Sequence, residues 1–228
     1  MPFRPVRAAL ALALCAATPL AAQPADPADP MALAALIADV ADNATLNRQM
    51  TVTLAGCALR IETLTPAPVW VEVAGGRRVE MLAGRDEMRF DLSLLAPVAG
   101  AMRVIEDADV PAFSIAEFPV AEAHLPELRR AADTILDLME AEYARDLPQD
   151  MLNDALRDLF ARVQSGAFGP LAARINVLRE DVFAHGGGAA DVGLSIYIDE
   201  ALYLSVLPGR AEDLAEAIAA YRAAICPD

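Results

Sequence analysis

The chain has 228 residues, enough for one large or two small domains with a real core. Its formal charge is −15, and all 18 basic residues are arginine. That balance argues against DNA or RNA as a partner, since phosphate neutralisation needs a basic patch, and it disfavours docking on anionic lipid. The 56 % hydrophobic share is swollen by alanine, which says more about helix than about core volume.

The first 22 residues read as a bacterial secretory signal. Arg4 and Arg7 form a positive start, and Ala8 to Ala17 is an apolar stretch too short to span a bilayer. Pro19 breaks that stretch, and Leu20-Ala21-Ala22 supplies small residues before a cut ahead of Gln23. Leu14 before Cys15 departs from a lipoprotein signal. Removing residues 1–22, which carry Arg4 and Arg7 and no acid, takes the formal charge from −15 to −17. Residues 23–29 follow as a flexible Pro/Ala/Asp leader.

Asp29 before Pro30 predicts a helix start, and Leu33, Leu36, Ile37 and Val40 share one helical face up to a stop at Asn43. A strand is expected over about Gln49 to Thr63. Met50, Val52 and Leu54 have one parity and Cys57, Leu59 and Ile61 the other, so a bulge at Ala55-Gly56 is expected to bring both trios inward. Beyond Pro66 and Pro68, Val69, Val71 and Val73 alternate with Trp70 and Glu72. Trp70 is expected to pack in the core or against a helix, with a ligand platform as the alternative. Gly75-Gly76 turns the chain, and Val79 and Met81 continue it. Ala83-Gly84-Arg85-Asp86 reads as a second turn. Met88, Phe90 and Leu92 then alternate with Glu87, Arg89 and Asp91, the mark of a half-wet strand. Two weaker strands are expected at Met102–Glu106 and Ala112–Phe118.

Helical spacing follows. Leu125 to Arg145 carries a stripe of Leu128, Ala132, Ile135, Leu138, Met139 and Tyr143. After Leu147-Pro148, Gln149 to Ser165 carries Leu152, Leu156, Leu159, Phe160 and Val163, with Gly166 as its stop. The tight link predicts an antiparallel pair, and such a pair is expected to cover a sheet. Ile175 to Leu178 reads as a short strand. Val192–Ile198 and Leu202–Leu207 read as a hairpin with an odd-numbered loop that sets Ile198 against Leu202 and Ile196 against Leu204. A last helix from about Arg210 buries Leu214, Ala217, Ile218, Tyr221 and Ile225.

These elements add up to an α+β fold: an antiparallel β-meander sheet with an antiparallel helix pair and a C-terminal β-hairpin plus helix packed on it. Residues 30–228 are expected to form one domain, β-rich over about 49–118 and helix-rich over about 119–228.

With Cys15 removed in the signal, Cys57 and Cys226 are the two cysteines left, and an exported chain with an even count favours pairing. Cys57 shares the parity of Leu59 and Ile61, and Cys226 follows the last helix's buried stripe. A Cys57–Cys226 disulfide is therefore expected.

Catalytic motifs fall short of their requirements. His185-Gly186-Gly187-Gly188 is like an oxyanion loop, but a hydrolase of that type needs a Gly-x-Ser-x-Gly elbow. Gly193-Leu194-Ser195-Ile196-Tyr197 lacks the final glycine, and no histidine follows Ser195. His124 and His185 have no second ligand at metal spacing, and Glu106-Asp107-Ala108-Asp109 lacks the glycine and distal glutamate of a calcium loop. No catalytic, cofactor-binding or metal-binding residue is singled out, and no cofactor is expected. The expected function is an exported, periplasmic, non-enzymatic envelope protein that binds a protein partner or a small apolar ligand, with no transmembrane segment in the mature chain. The alternatives are a periplasmic hydrolase with scattered residues and a self-assembling structural domain. A deep pocket with convergent polar groups and a shifted carboxylate or histidine favours the enzyme, and an exposed apolar patch or groove without such groups favours binding.

Overall fold

The computed structural model describes residues 26, 28–41, 47–72, 78–97, 103–106, 114–183, 191–207 and 209–226. In it the first apolar run reverses rather than bulging. Strand β1 (Gln49–Ala55) and strand β2 (Ala58–Thr65) pair antiparallel across a turn at Gly56-Cys57. Gly56 has φ +56°, the left-handed value that short hairpin turns require at their first central residue. The register sets Met50 opposite Thr63, Val52 opposite Ile61 and Leu54 opposite Leu59, so both trios share a face without an inserted residue. A change of parity is relieved by a reversal as well as by a bulge, and here the glycine serves the reversal. Cys57 consequently sits in the turn instead of beside Leu59.

Strands β3 (Val69–Glu72) and β4 (Arg78–Met81) pair with Val69 opposite Met81, the expected hairpin, but they form a two-stranded sheet of their own. Val73 and Gly75-Gly76 lie outside the described residues. Trp70 is 61 % exposed on this hairpin, against the expectation of a packed tryptophan. Among the described residues the hairpin joins neither of the other two sheets.

The turn expected at Ala83–Asp86 is instead the first half of strand β5 (Ala83–Asp91). Its charges are met by neighbours, with Arg85 beside Glu62 at 3.2 Å and Asp86 accepting from Arg179 at 2.9 Å. Leu92–Leu94 then make a short 3-10 turn, so Leu92 leaves the strand pattern but stays buried. Strands β6 (Arg103–Glu106) and β7 (Ser114–Pro119) match the two weaker expectations. Strand β8 (Ile175–Phe183) is twice as long as its apolar start. Strands β9 (Asp191–Tyr197) and β10 (Ala201–Val206) complete the set.

The main sheet runs β1-β2-β5-β8-β9 and the second β10-β7-β6, every pairing antiparallel. This corrects the C-terminal hairpin. Strand β9 pairs with β8, placing Ile196 opposite Leu178, whereas β10 pairs with β7, placing Leu204 opposite Ala116. Ile198, Asp199 and Glu200 carry the chain from one sheet to the other, and the Val120 amide donates to the Glu200 carbonyl at 2.8 Å. Parity names the buried face of a strand and leaves its partner open. The inward residues are as read, but Leu194 and Ile196 enter one core cluster and Leu202, Leu204 and Val206 another.

Helix α1 (Pro30–Val40) is capped as expected, with Asp29 Oδ1 accepting from the Met31 amide at 2.9 Å, and it buries Leu33, Ile37 and Val40. The expected stop at Asn43 lies outside the described residues. Helix α2 (Leu125–Tyr143) and helix α3 (Gln149–Gln164) bury Ile135, Met139, Leu156 and Phe160 against Leu194 and Ile196, so the pair covers the β9 end of the sheet. Gly166, at φ +83°, ends α3. The pair also guards the sheet's edge. Gln149 and Asn153 donate to the Val192 carbonyl at 2.9 Å each, and the Tyr143 hydroxyl donates to the Leu194 carbonyl at 2.7 Å. Helix α4 (Pro170–Arg174) is a short addition before β8.

Helix α5 (Ala211–Ile225) closes the other core, in which Leu214, Ile218 and Tyr221 meet Ile37, Leu59, Phe90 and Phe118. The Cys57–Cys226 disulfide is present, with Cα atoms 5.5 Å apart. Around it Tyr221 donates to the Gly56 carbonyl at 2.8 Å, and Arg222 donates to the Leu95 and Ala96 carbonyls at 2.9 Å each. Among the described residues no helix is long and apolar enough to cross a membrane.

Candidate functional site

The register of the main sheet lays its inner face out in rows. Leu59, Phe90 and Ile175 form a buried row. The next row is Val52, Ile61, Met88, Val177 and Tyr197, and the one after is Met50, Thr63, Asp86, Arg179 and Ser195. Along the strands the face therefore passes from a buried row, through a mixed row in which Ile61 and Val177 are buried and Val52 and Met88 half-buried, to a polar one. Over the second and third rows, where this face meets β7 and β10, lies a cleft of about 410 Å³. Met50, Ile61, Met88 and Val177 give it an apolar floor, with Ile115 and Leu204 from the second sheet.

Its polar end has two acids and two arginines. Arg179 Nε donates to Asp86 Oδ1 at 2.9 Å, and that bond holds the Arg179 guanidinium above its ordinary range. Asp199, at the corner between β9 and β10, lines the same cleft. Burial pushes its carboxyl up from the usual carboxylate range, and the Arg179 charge opposes part of that rise. Tyr197 and Tyr203 line the cleft from either side of the corner, 43 % and 41 % exposed. Arg48, Asp86 and Arg179 also border a smaller polar recess of about 80 Å³ next to Gly84 and Asp181. Asp181 too is raised chiefly by burial, with Arg179 lowering it and Asp86 raising it.

Against the sequence-based criterion the cleft is mixed: its floor is apolar, as a binding groove requires, but it also carries a shifted carboxylate among polar groups, which the criterion assigns to an enzyme. None of the residues singled out from the sequence builds it. Ser195 is half-buried opposite Arg179 in the register but does not line the cleft. His124 stands at the start of α2. His185 to Gly188 and Asp107 to Asp109 lie outside the described residues, and Glu106 is seen only through its backbone pairing with Ser114. Among the described residues no group of three or more His, Cys, Asp or Glu is placed to hold a metal ion. The cleft's own residues did leave a trace. Asp86 and Arg179 are charges at the inward parity of Met88 and Val177, a break in alternation where a wet floor replaces a dry one. Comparison of the chain with protein-family models, with curated proteins and with solved structures found no match in any of the three.

Proposed function

We propose that the cleft binds a small ligand with an apolar body, in an exported envelope protein that performs no chemistry on it. The observation that supports this most is the apolar floor between the two sheets, in which buried Ile61 and Val177 carry half-buried Met50 and Met88. Two methionines in that floor suit a ligand of variable shape. N-phenyl-1-naphthylamine, an uncharged apolar dye at pH 7, is expected to bind with enhanced fluorescence. Met88→Trp, which fills the floor from its centre, is expected to weaken that binding about tenfold or more, because it replaces ligand volume with side chain. Unchanged affinity in a folded Met88→Trp variant would place the ligand elsewhere.

Export to the periplasm is part of the same proposal. It rests on the signal-like residues 1–22, which lie outside the described residues, and is supported by a disulfide that an oxidising compartment sustains. Intact-mass measurement of the exported protein should show a chain beginning at Gln23. A mature form that still carries Arg4 and Arg7 would overturn the assignment.

One observation favours the periplasmic hydrolase as a second reading. Asp199, raised by burial, shares the cleft with the Ser205 and Tyr203 hydroxyls, the company a general acid or base keeps. Saturable binding without turnover of simple esters separates the binding protein from this alternative.

A further inference from the structure

We infer that the ligand of this cleft is a protonated amine carried on an apolar body, with Asp199 as its counter-ion and Tyr197 and Tyr203 as aromatic walls. This rests on the reading of the cleft as a ligand site and adds the chemistry of the head group.

The charges of the cleft are uneven in how they are satisfied. Asp86 and Arg179 hold each other through a hydrogen bond of 2.9 Å. Arg48 is partnered as well. Among the described residues none donates a hydrogen bond to the Asp199 carboxylate, and Arg179 acts on it through charge. Asp199 is half-buried, a carboxylate partly withdrawn from water without donors is unfavourable, and burial accordingly shifts its titration upward. An ammonium group brings three donors and the opposite charge to that spot.

The walls fit the same guest. Tyr197 ends β9 and Tyr203 lies in β10, so the corner holding Asp199 is flanked by two phenol rings that line the cleft. An aromatic face attracts a cation, most strongly where water is scarce. The apolar floor then receives the hydrocarbon part. An anionic head would instead compete with Asp86 for Arg179 while lying beside Asp199. A neutral head would add no charge to the partial compensation that Asp199 receives from Arg179. The chain's formal charge of −15 favours the approach of cations.

The test is calorimetric titration of the full chain, disulfide intact, at pH 7 with three probes of equal length: octylamine, which is protonated there, 1-octanol and octanoate. Octylamine is expected to bind about tenfold or more tighter than 1-octanol, as a charge-assisted hydrogen bond predicts, with octanoate the weakest. Asp199→Asn should remove that preference while 1-octanol still binds, and a circular dichroism spectrum matching that of the parent protein shows that the variant is folded. Tyr197→Leu keeps an apolar wall and should cost octylamine about threefold more than it costs 1-octanol. Octylamine binding no tighter than 1-octanol, or a preference that survives Asp199→Asn, overturns the amine inference and leaves the cleft reading standing. Failure of all three probes to bind overturns the cleft reading itself.

Discussion

Replacing both Cys57 and Cys226 by serine is expected to lower the stability of the chain by about 5 kcal/mol, because the bond closes a loop of 169 residues and removes that much chain entropy from the unfolded state. The loop takes in every strand from β2 to β10 and helices α2 to α5. Since folded domains of this size are stable by only about 5–15 kcal/mol, the variant should stand close to its unfolding threshold at ambient temperature. The native contacts around the bond do not depend on it. Tyr221 still reaches the Gly56 carbonyl and Arg222 still reaches Leu95 and Ala96, so the folded fraction should keep its helix content by circular dichroism. Urea denaturation of the oxidised protein and the double variant measures the difference. A loss below about 1 kcal/mol would mean that the closed loop constrains the unfolded chain far less than the entropy model requires.

The second large effect is expected at Gly84, where alanine should cost about 3 kcal/mol. A Cβ at this position would lie 2.0 Å from the carbonyl oxygen of Glu180 and 3.1 Å from its carbonyl carbon. Both atoms are backbone of β8, so no side chain can swing aside. Strand β5 is held by β2 on its other flank, and a shift that relieves the clash strains that pairing, at the upper end of what overpacking usually costs. Gly193→Ala is the control. Its Cβ would meet a ring carbon of Phe183 at 2.9 Å, and Phe183 is 42 % exposed and free to turn outward. The control should therefore cost under about 1 kcal/mol. Denaturation curves in which the two variants lose equal stability would remove the distinction between a backbone and a side-chain obstacle.

Gly84 also shows how far local pattern carries. In the sequence it sits in Ala-Gly-Arg-Asp, a set of residues common in turns. Its role comes from a strand nearly a hundred positions later, whose carbonyl approaches so closely that only glycine fits. Gly56 reads the other way. It was marked as the point where alternation breaks, and the break is real, but a reversal and a bulge leave the same trace in one dimension. Trp70 is a third case. A large aromatic in an alternating run is normally covered, yet the hairpin that carries it adds to no larger sheet.

The amino-acid sequence by itself determined the elements whose signals are short-range: the Asp29 cap, the stripes of α3 and α5, the end of α3 at Gly166, and the inward parity of Leu194, Ile196, Leu202 and Leu204. The Cys57–Cys226 bond in the structure matches the pairing expected from counting cysteines in a chain read as exported. These rest on periods of two or nearly four residues, or on simple counting. Only the tertiary structure decided which strands are neighbours. Strands β9 and β10, adjacent in the chain, part at Asp199 and join different sheets. The same decision made the candidate site. Asp86, Arg179 and Asp199 come from β5, β8 and a corner, and in the sequence each is one charge among 33 acids and 18 arginines. Strand pairing is set by packing between distant segments, whereas periodicity records only what each segment turns inward, so the fold class was legible and the cleft was not.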